Sequence, residues 1–214
     1  MSVFMLEKSW NRCWRAIGAA GDGQPLMERL LGAYNEAHRK YHTQQHLAEC
    51  IALLNDHLAL ADKPAEVEMA TWFHDAVYNV RAGDNEARSA AWAARELQQA
   101  FVAPERIASV KDHILATRHS APPQGQDQML LVDIDLSILG SDRQRFQAYE
   151  RQVREEYGWV PGYIFNRKRR KVLSAFLARN CIYNTAVLRD ALESQARSNL
   201  AYALRQLGLE GHAI

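Results

Sequence analysis

The chain has 214 residues, which is enough for one large domain or two small ones with a complete hydrophobic core. Hydrophobic residues make up 48% of the sequence and charged residues 24%, and this composition excludes wholesale disorder. Lys and Arg number 26 and Asp and Glu number 25. The resulting formal charge of +1 argues against a protein that is drawn as a whole to nucleic acid or to a membrane surface.

The cysteines and apolar segments indicate a cytoplasmic protein. Cys13, Cys50 and Cys181 are far apart, form no CxxC motif and are odd in number, so we expect reduced, mostly buried thiols. No apolar run approaches the roughly 20 residues that a membrane span needs. Glu7 and Lys8 argue against a signal peptide, and no membrane partner is expected.

Helical periodicity dominates the sequence, and proline marks several predicted helix starts. Pro25, Pro64, Pro104 and Pro161 each suit a first helical turn. Apolar residues recur at helical spacing over 47–58 and again over 67–78. Later segments predicted to be helical are 86–100 with Asp84 or Asn85 as cap, 104–118, 141–157 with Ser141 as cap, 161–179 and 185–207.

Two segments between these helices differ in character. Residues 119–127 contain two prolines and a glycine and are predicted to form a loop. Residues 129–139 are apolar except for Asp133, Asp135 and Ser137, and both a short strand and a buried helix fit that pattern. No repeat or linker divides the chain. We therefore predict one all-α domain over residues 1–214, a bundle of about nine or ten helices.

Histidines four residues apart form the first candidate site. If a helix already covers them, His42 and His46 have their rings on one face and can share a metal or a substrate. The alternative is a helix start with two surface imidazoles.

An adjacent histidine and aspartate form the second candidate. His74 and Asp75 lie in the segment 70–78, which is apolar on nearly every side. A carboxylate in such surroundings must be paired or bound to metal, and a neutral imidazole beside it suits a divalent ion. The alternative is a buried histidine bonded to a backbone carbonyl, with Asp75 facing solvent.

Two carboxylates in an apolar run form the third candidate. Asp133 and Asp135 have no Lys or Arg within their segment, so a metal ion is the simplest compensating charge. Helix positions two apart point about 200° from each other, so both are not expected to bind one ion directly. The alternative is that one aspartate caps a turn or pairs with a distant arginine.

The order H…HD…D within a helical context resembles the HD superfamily of metal-dependent phosphohydrolases. The motifs that carry the resemblance are Arg39–His46, Trp72–Tyr78, Asp84–Ala90 and Asp133–Gly140, and they are most similar to a subgroup of predicted HD phosphohydrolases. The similarity spans roughly residues 10–190. It implies an all-α HD-like domain over 1–214 and a buried helix, rather than a strand, over 129–139.

The resemblance also implies a metal centre and a reaction. His46, His74, Asp75 and Asp135 match the metal ligands of the family, with Asp133 as a rival to Asp135. Such a set suits one divalent ion, Mn, Fe, Co, Ni, Zn or, less well, Mg. The ion would activate water against a phosphate ester of a small molecule, with a nucleotide as the leading substrate class. Asp75 would also orient the nucleophile.

Two further residues have roles in some HD relatives. A glutamate soon after the HD pair serves as acid or base, and the first available here is Glu86. The competing interpretation is a first-turn acid favoured by the helix dipole. His119 is the candidate for a second metal or a phosphate contact, and the competing interpretation is a histidine stabilised at a helix C-terminus.

Cationic residues are candidates for substrate binding. Residues 167–171 are five consecutive cations, within which Arg167 and Arg170 share a helix face and can bind phosphate. A solvated helix face is the alternative. Arg39 and His42, in the first motif, are also predicted to contact the substrate.

Three functions from different classes are consistent with these residues. The first is a metal-dependent phosphohydrolase with a small phosphorylated substrate. The second is a catalytically weak or inactive metal- or nucleotide-binding regulatory module, favoured by the missing nearby glutamate. The third, nucleic-acid binding through 167–171, is disfavoured by the near-zero net charge. The sequence leaves the oligomeric state open, a homo-oligomer included.

Overall fold

The structure, a computed structural model, describes residues 3–210 and is all-helical over that range. Its ten α-helices are α1 (Val3–Ala16), α2 (Gln24–Ala33), α3 (Gln44–His57), α4 (Pro64–Phe73), α5 (Asn85–Gln99), α6 (Pro104–Ala116), α7 (Gly125–Asp135), α8 (Arg143–Glu156), α9 (Gly162–Leu177) and α10 (Ala186–Glu210). Short 3-10 segments cover Leu58–Leu60 and Leu136–Gly140. The predicted all-α class with about nine or ten helices is confirmed. Within 3–210, no helix has the combination of length and apolarity needed to cross a bilayer.

Several segment boundaries differ from the sequence-based expectations. The predicted loop 119–127 is shorter, because α7 begins at Gly125. Asp142 caps α8 instead of Ser141, and its carboxylate accepts a hydrogen bond from the Arg145 backbone N–H at 2.9 Å. Residues 129–139 continue α7 to Asp135 and then form the 3-10 segment, so the helix alternative is confirmed and the strand alternative is wrong.

Contacts between helices divide the described chain into two compact units. The first unit comprises residues 3–135 and contains α1 to α7. The second comprises residues 136–210 and contains the 3-10 segment 136–140 with α8, α9 and α10. A single functional domain over 1–214 stays a prediction.

The first unit is built around α4. Every residue of α4 from Ala65 to Phe73 is buried, and α1, α3, α5, α6 and α7 all contact this helix. Its buried carboxylate, Glu68, accepts hydrogen bonds from Ser9 Oγ at 2.6 Å and Arg12 Nε at 2.9 Å, so it is satisfied within the core. Because α4 is central, the residues that follow it emerge deep inside the unit.

In the second unit, α10 packs on α9 and on the 3-10 segment 136–140. Gly140 is required at this contact, since a Cβ there would lie 2.7 Å from the Cβ of Leu192. Asn199 Nδ2 donates to the carbonyl oxygens of Leu139 and Ser141 at 2.8 Å each, which satisfies the backbone where the 3-10 segment ends.

Candidate metal centre

The four residues predicted to bind a metal lie at the ends of three helices of the first unit. His46 is in the first turn of α3, whose N-cap is Thr43. His74 immediately follows α4 and Asp75 is the next residue, while Asp135 is the last residue of α7. The structure therefore brings together residues that are up to 89 positions apart in the chain.

The side-chain nitrogen and oxygen atoms of these residues converge on one point. His46 Nε2 and His74 Nε2 are 3.0 Å apart. Asp75 Oδ2 is 3.4 Å from His46 Nε2 and 3.2 Å from His74 Nε2. Asp135 Oδ1 is 3.4 Å and 3.6 Å from the same two nitrogens. Two atoms that each bind one ion at about 2.1 Å are separated by roughly 3.0–3.4 Å. Four of the five separations given above lie in this range and the fifth, His74 Nε2 to Asp135 Oδ1, is 3.6 Å, so the cluster has the dimensions of a site for a single divalent ion.

The site has a buried side and a side that solvent reaches. His46 and His74 are each 2% exposed. The side chains of Asp75 and Asp135 are 17% and 15% exposed. Water or a small substrate can therefore approach from the carboxylate side, while the imidazoles are fixed in the core.

The orientation of His74 suits a metal ligand. Its Nδ1–H donates to the carbonyl oxygen of Thr71 at 2.7 Å, one turn earlier in α4. A carbonyl only accepts, so this bond places a proton on Nδ1 and turns Nε2 towards the other ligands. The predicted alternative of a histidine bonded to a backbone carbonyl is thus also present, and it orients the ring rather than competing with metal binding.

Burial and neighbouring charges shift the pKa values of all four groups. Burial disfavours every charged form. At His46 and His74 the neighbouring acidic groups outweigh burial and raise the pKa of both imidazoles well above its ordinary value. At Asp75 and Asp135 the neighbouring imidazoles outweigh burial and hold the pKa of both carboxyl groups well below its ordinary value. The two carboxylates that raise the imidazole pKa values would also stabilise a divalent ion bound between the four groups.

A buried arginine and a tyrosine hold the turn that contains His74 and Asp75. The Arg39 guanidinium donates to the carbonyl oxygens of Asp75 at 2.6 Å and Ala76 at 2.9 Å. Tyr34 Oη donates to the Trp72 carbonyl and accepts from the Asp75 backbone N–H, both at 3.2 Å. The apolar face predicted over 67–78 is helical only to Phe73, and these bonds fix the backbone beyond that point. Burial raises the pKa of Tyr34 to about 12, so its hydroxyl stays protonated.

Cys50 belongs to the cluster and was missed by sequence reasoning. His46, Cys50, His74 and Asp135 each offer a ligand atom, and these atoms lie within 4.8 Å of one another. Cys50 Sγ is 3.7 Å from His46 Nδ1 and 3.8 Å from Nε2, so the sulfur lies beside the ring rather than ahead of Nε2. The available signal was spacing, since Cys50 follows His46 by one helical turn.

Of the two rival aspartates, Asp135 is the one that the structure places against both histidines. Asp133, two positions earlier in α7, has a relative exposure of 0%. His119 Nε2 bonds the second oxygen of Asp135, Oδ2, at 2.8 Å and so fixes the carboxylate plane. A second metal or a phosphate contact at His119 stays a prediction.

The other predicted residues of the first unit have structural partners. His42 precedes α3, so it shares no helical face with His46, although their ring centroids are 5.9 Å apart. Its ring stacks on Tyr78 with a centroid separation of 4.1 Å. Glu86 lies in the first turn of α5, and its Oε2 is 3.8 Å from Arg118 Nε. Substrate binding by His42 and catalysis by Glu86 stay predictions.

The remaining cationic candidates have different surroundings. Arg39 is 3% exposed, and it also donates to the His42 carbonyl at 3.2 Å and to the Glu36 carboxylate at 3.0 Å. Arg167 and Arg170 are exposed on α9 of the second unit, where Arg170 donates to the Leu207 carbonyl at 2.7 Å. Their predicted contacts with substrate stay predictions.

Comparison with models of known protein families, with curated proteins and with solved structures found no match.

Proposed function

We propose that the chain is a metal-dependent phosphohydrolase of the HD type that hydrolyses a phosphate ester of a small molecule, with nucleotides as the first substrates to test. The observation that carries the proposal is the convergence of His46, His74, Asp75 and Asp135 at separations of 3.0–3.6 Å. Two imidazoles and two carboxylates that open to solvent on one side leave room for water and substrate oxygens.

The donor set also narrows the choice of metal ion. His46 and His74 supply imidazole nitrogens, and Asp75 and Asp135 supply ionised carboxylates, a mixed set that suits Mn, Fe, Co, Ni or Zn better than Mg. When bound, such an ion supplies Lewis-acid activation of water and of a phosphoryl oxygen at neutral pH.

The residues of the chain perform the remaining tasks. Asp75, 17% exposed and held ionised by the imidazoles, accepts a hydrogen bond from the attacking water and directs it at phosphorus. His119 keeps Asp135 in one orientation through its bond to Oδ2. Glu86 is the proposed acid for the leaving group, and Arg39 and His42 are the proposed substrate contacts.

The proposal is tested by hydrolysis of a broad panel of phosphate esters with added Mn, Fe, Co, Ni, Zn or Mg. His74→Ala should abolish turnover and leave the fold intact by circular dichroism and thermal unfolding. His57→Ala, the matched control at the end of α3, should hydrolyse like the wild type. A His74→Ala variant that loses metal but keeps full activity would contradict the proposal. Metal binding with no hydrolysis across the panel would favour the regulatory module instead.

We also propose a reducing, cytoplasmic location. Cys13, Cys50 and Cys181 are all free thiols in the structure, as is usual for proteins of the cytosol.

A further inference from the structure

Charge is distributed very unevenly between the two units. Residues 1–135 carry 13 Lys and Arg against 18 Asp and Glu, a formal charge of −5. Residues 136–214 carry 13 against seven, a formal charge of +6. The near-zero charge of the whole chain argues against a polyanionic partner only if charge is evenly spread, and it is not.

Three cations of the second unit, Arg167, Lys168 and Lys171, lie on one exposed face of α9. This helix contains five cations and no acidic residue. Tyr163, Arg167 and Lys171 follow one another at intervals of four, so they form a stripe along the helix. Phe165 and Leu173 are buried on the opposite side. All three stripe residues are exposed, and Lys168 is exposed beside them.

Aromatic rings accompany these cations at the surface. Tyr163 is 72% exposed, and Trp159, just before the helix, is 53% exposed. An exposed aromatic ring beside Lys and Arg provides both a surface on which a base can stack and charges that contact the phosphates on either side. A membrane-surface helix needs a continuous apolar face instead, and the face here is cationic.

We propose that the exposed face of α9, formed by Tyr163, Arg167, Lys168 and Lys171, binds single-stranded nucleic acid. The cations contact backbone phosphates and Tyr163 stacks a base, without sequence readout. This function is independent of the metal centre in the first unit.

The test measures fluorescence anisotropy of a labelled oligothymidylate of about 20 nucleotides across a salt series. At about 0.1 M salt, each lost phosphate contact weakens binding roughly fivefold, so Arg167→Gln/Lys168→Gln/Lys171→Gln should raise Kd on the order of 100-fold and flatten the slope of log K against log salt by about 2. The control is Lys8→Gln/Arg88→Gln/Lys111→Gln, which removes three exposed cations from the first unit and should leave Kd unchanged.

Tyr163→Ala separates stacking from charge. It should raise Kd roughly fivefold or more without changing the salt slope. Equal losses in the α9 variant and the control variant would overturn the proposal, because net charge alone would then explain binding. Three other results would also overturn the proposal. They are no binding by the wild type, binding to phosphatidylserine vesicles in place of the oligonucleotide, and an unchanged Kd for Tyr163→Ala. All four α9 residues are exposed, and thermal unfolding of each variant confirms that it is folded.

Discussion

Replacing Asp135 with asparagine tests the site through stability, independently of turnover. The substitution keeps the shape of the side chain and removes the charge that lies 3.4 Å and 3.6 Å from the two histidine nitrogens. At an ion concentration of about 100 times Kd, binding stabilises the wild type by about 2.7 kcal/mol. For a chain of this size that corresponds to a rise in Tm of roughly 5–11 °C.

The Asp135→Asn variant should lose most of this rise. A neutral amide oxygen compensates the charge of a divalent ion poorly, and only three of the four proposed ligands remain. Differential scanning fluorimetry with and without Mn, Co, Ni or Zn measures the effect. Asp112→Asn, an exposed carboxylate on α6 of the same unit, is the matched control and should keep the full rise. Equal metal-induced rises in the wild type and Asp135→Asn would refute the assignment of Asp135 as a ligand.

The turn and the protonation state of the site give two further predictions. Arg39→Lys keeps the positive charge, but a lysine ammonium cannot reach the two turn carbonyls and the Glu36 carboxylate together. The substitution should therefore destabilise the fold by about 3 kcal/mol, which lowers Tm by roughly 6–12 °C. An unchanged Tm, measured by circular dichroism, would contradict this prediction. Because the pKa values of His46 and His74 are raised, protons compete with the ion, and calorimetric metal affinity should be tighter at about pH 8 than at about pH 6. Without added metal, the histidines and the carboxyl groups change the stability of the fold in opposite directions with pH. The raised imidazole pKa values contribute stability below about pH 6.5, and this stability is lost as pH rises through the pKa values of the folded state. The lowered carboxyl pKa values contribute stability above about pH 4, and this stability is lost as pH falls through the pKa values of the folded state. A metal affinity that is equal at both pH values would contradict the proposed competition.

The helices were predictable because their signals are local. Proline marks the starts of α4 and α6, and apolar spacing marks the buried face of α3. The end of α4 was not predictable in this way, because the apolar pattern continues past Phe73. What ends the helix is tertiary: bonds from Tyr34 and Arg39, more than 30 positions earlier, hold the backbone of the turn.

The members of the candidate site were partly accessible from sequence. The polar residues in apolar surroundings, His74, Asp75 and the pair Asp133 and Asp135, stood out because burial demands compensation for charge. Which aspartate faces the histidines depends on how α7 is rotated against the rest of the unit, and helical periodicity alone does not fix that rotation. The position of Cys50 beside His46 was available from the i, i+4 spacing.

The basic segment shows a different limit of sequence reasoning. A charge sum over the whole chain conceals a cationic unit, because the boundary at Asp135 is set by contacts between helices rather than by a linker. Once that boundary is known, counts of charged residues in each unit show that the second unit is cationic, and five of its cations are consecutive in α9.

The most direct test of the metal centre is elemental analysis of protein purified without an affinity metal, comparing the wild type with Asp75→Ala. The wild type should contain about one divalent ion per chain and the variant little, because Asp75 lies 3.4 Å and 3.2 Å from the two histidine nitrogens. No metal in either protein, even after incubation with Mn, Ni, Zn or Fe, would show that these residues do not form a metal centre.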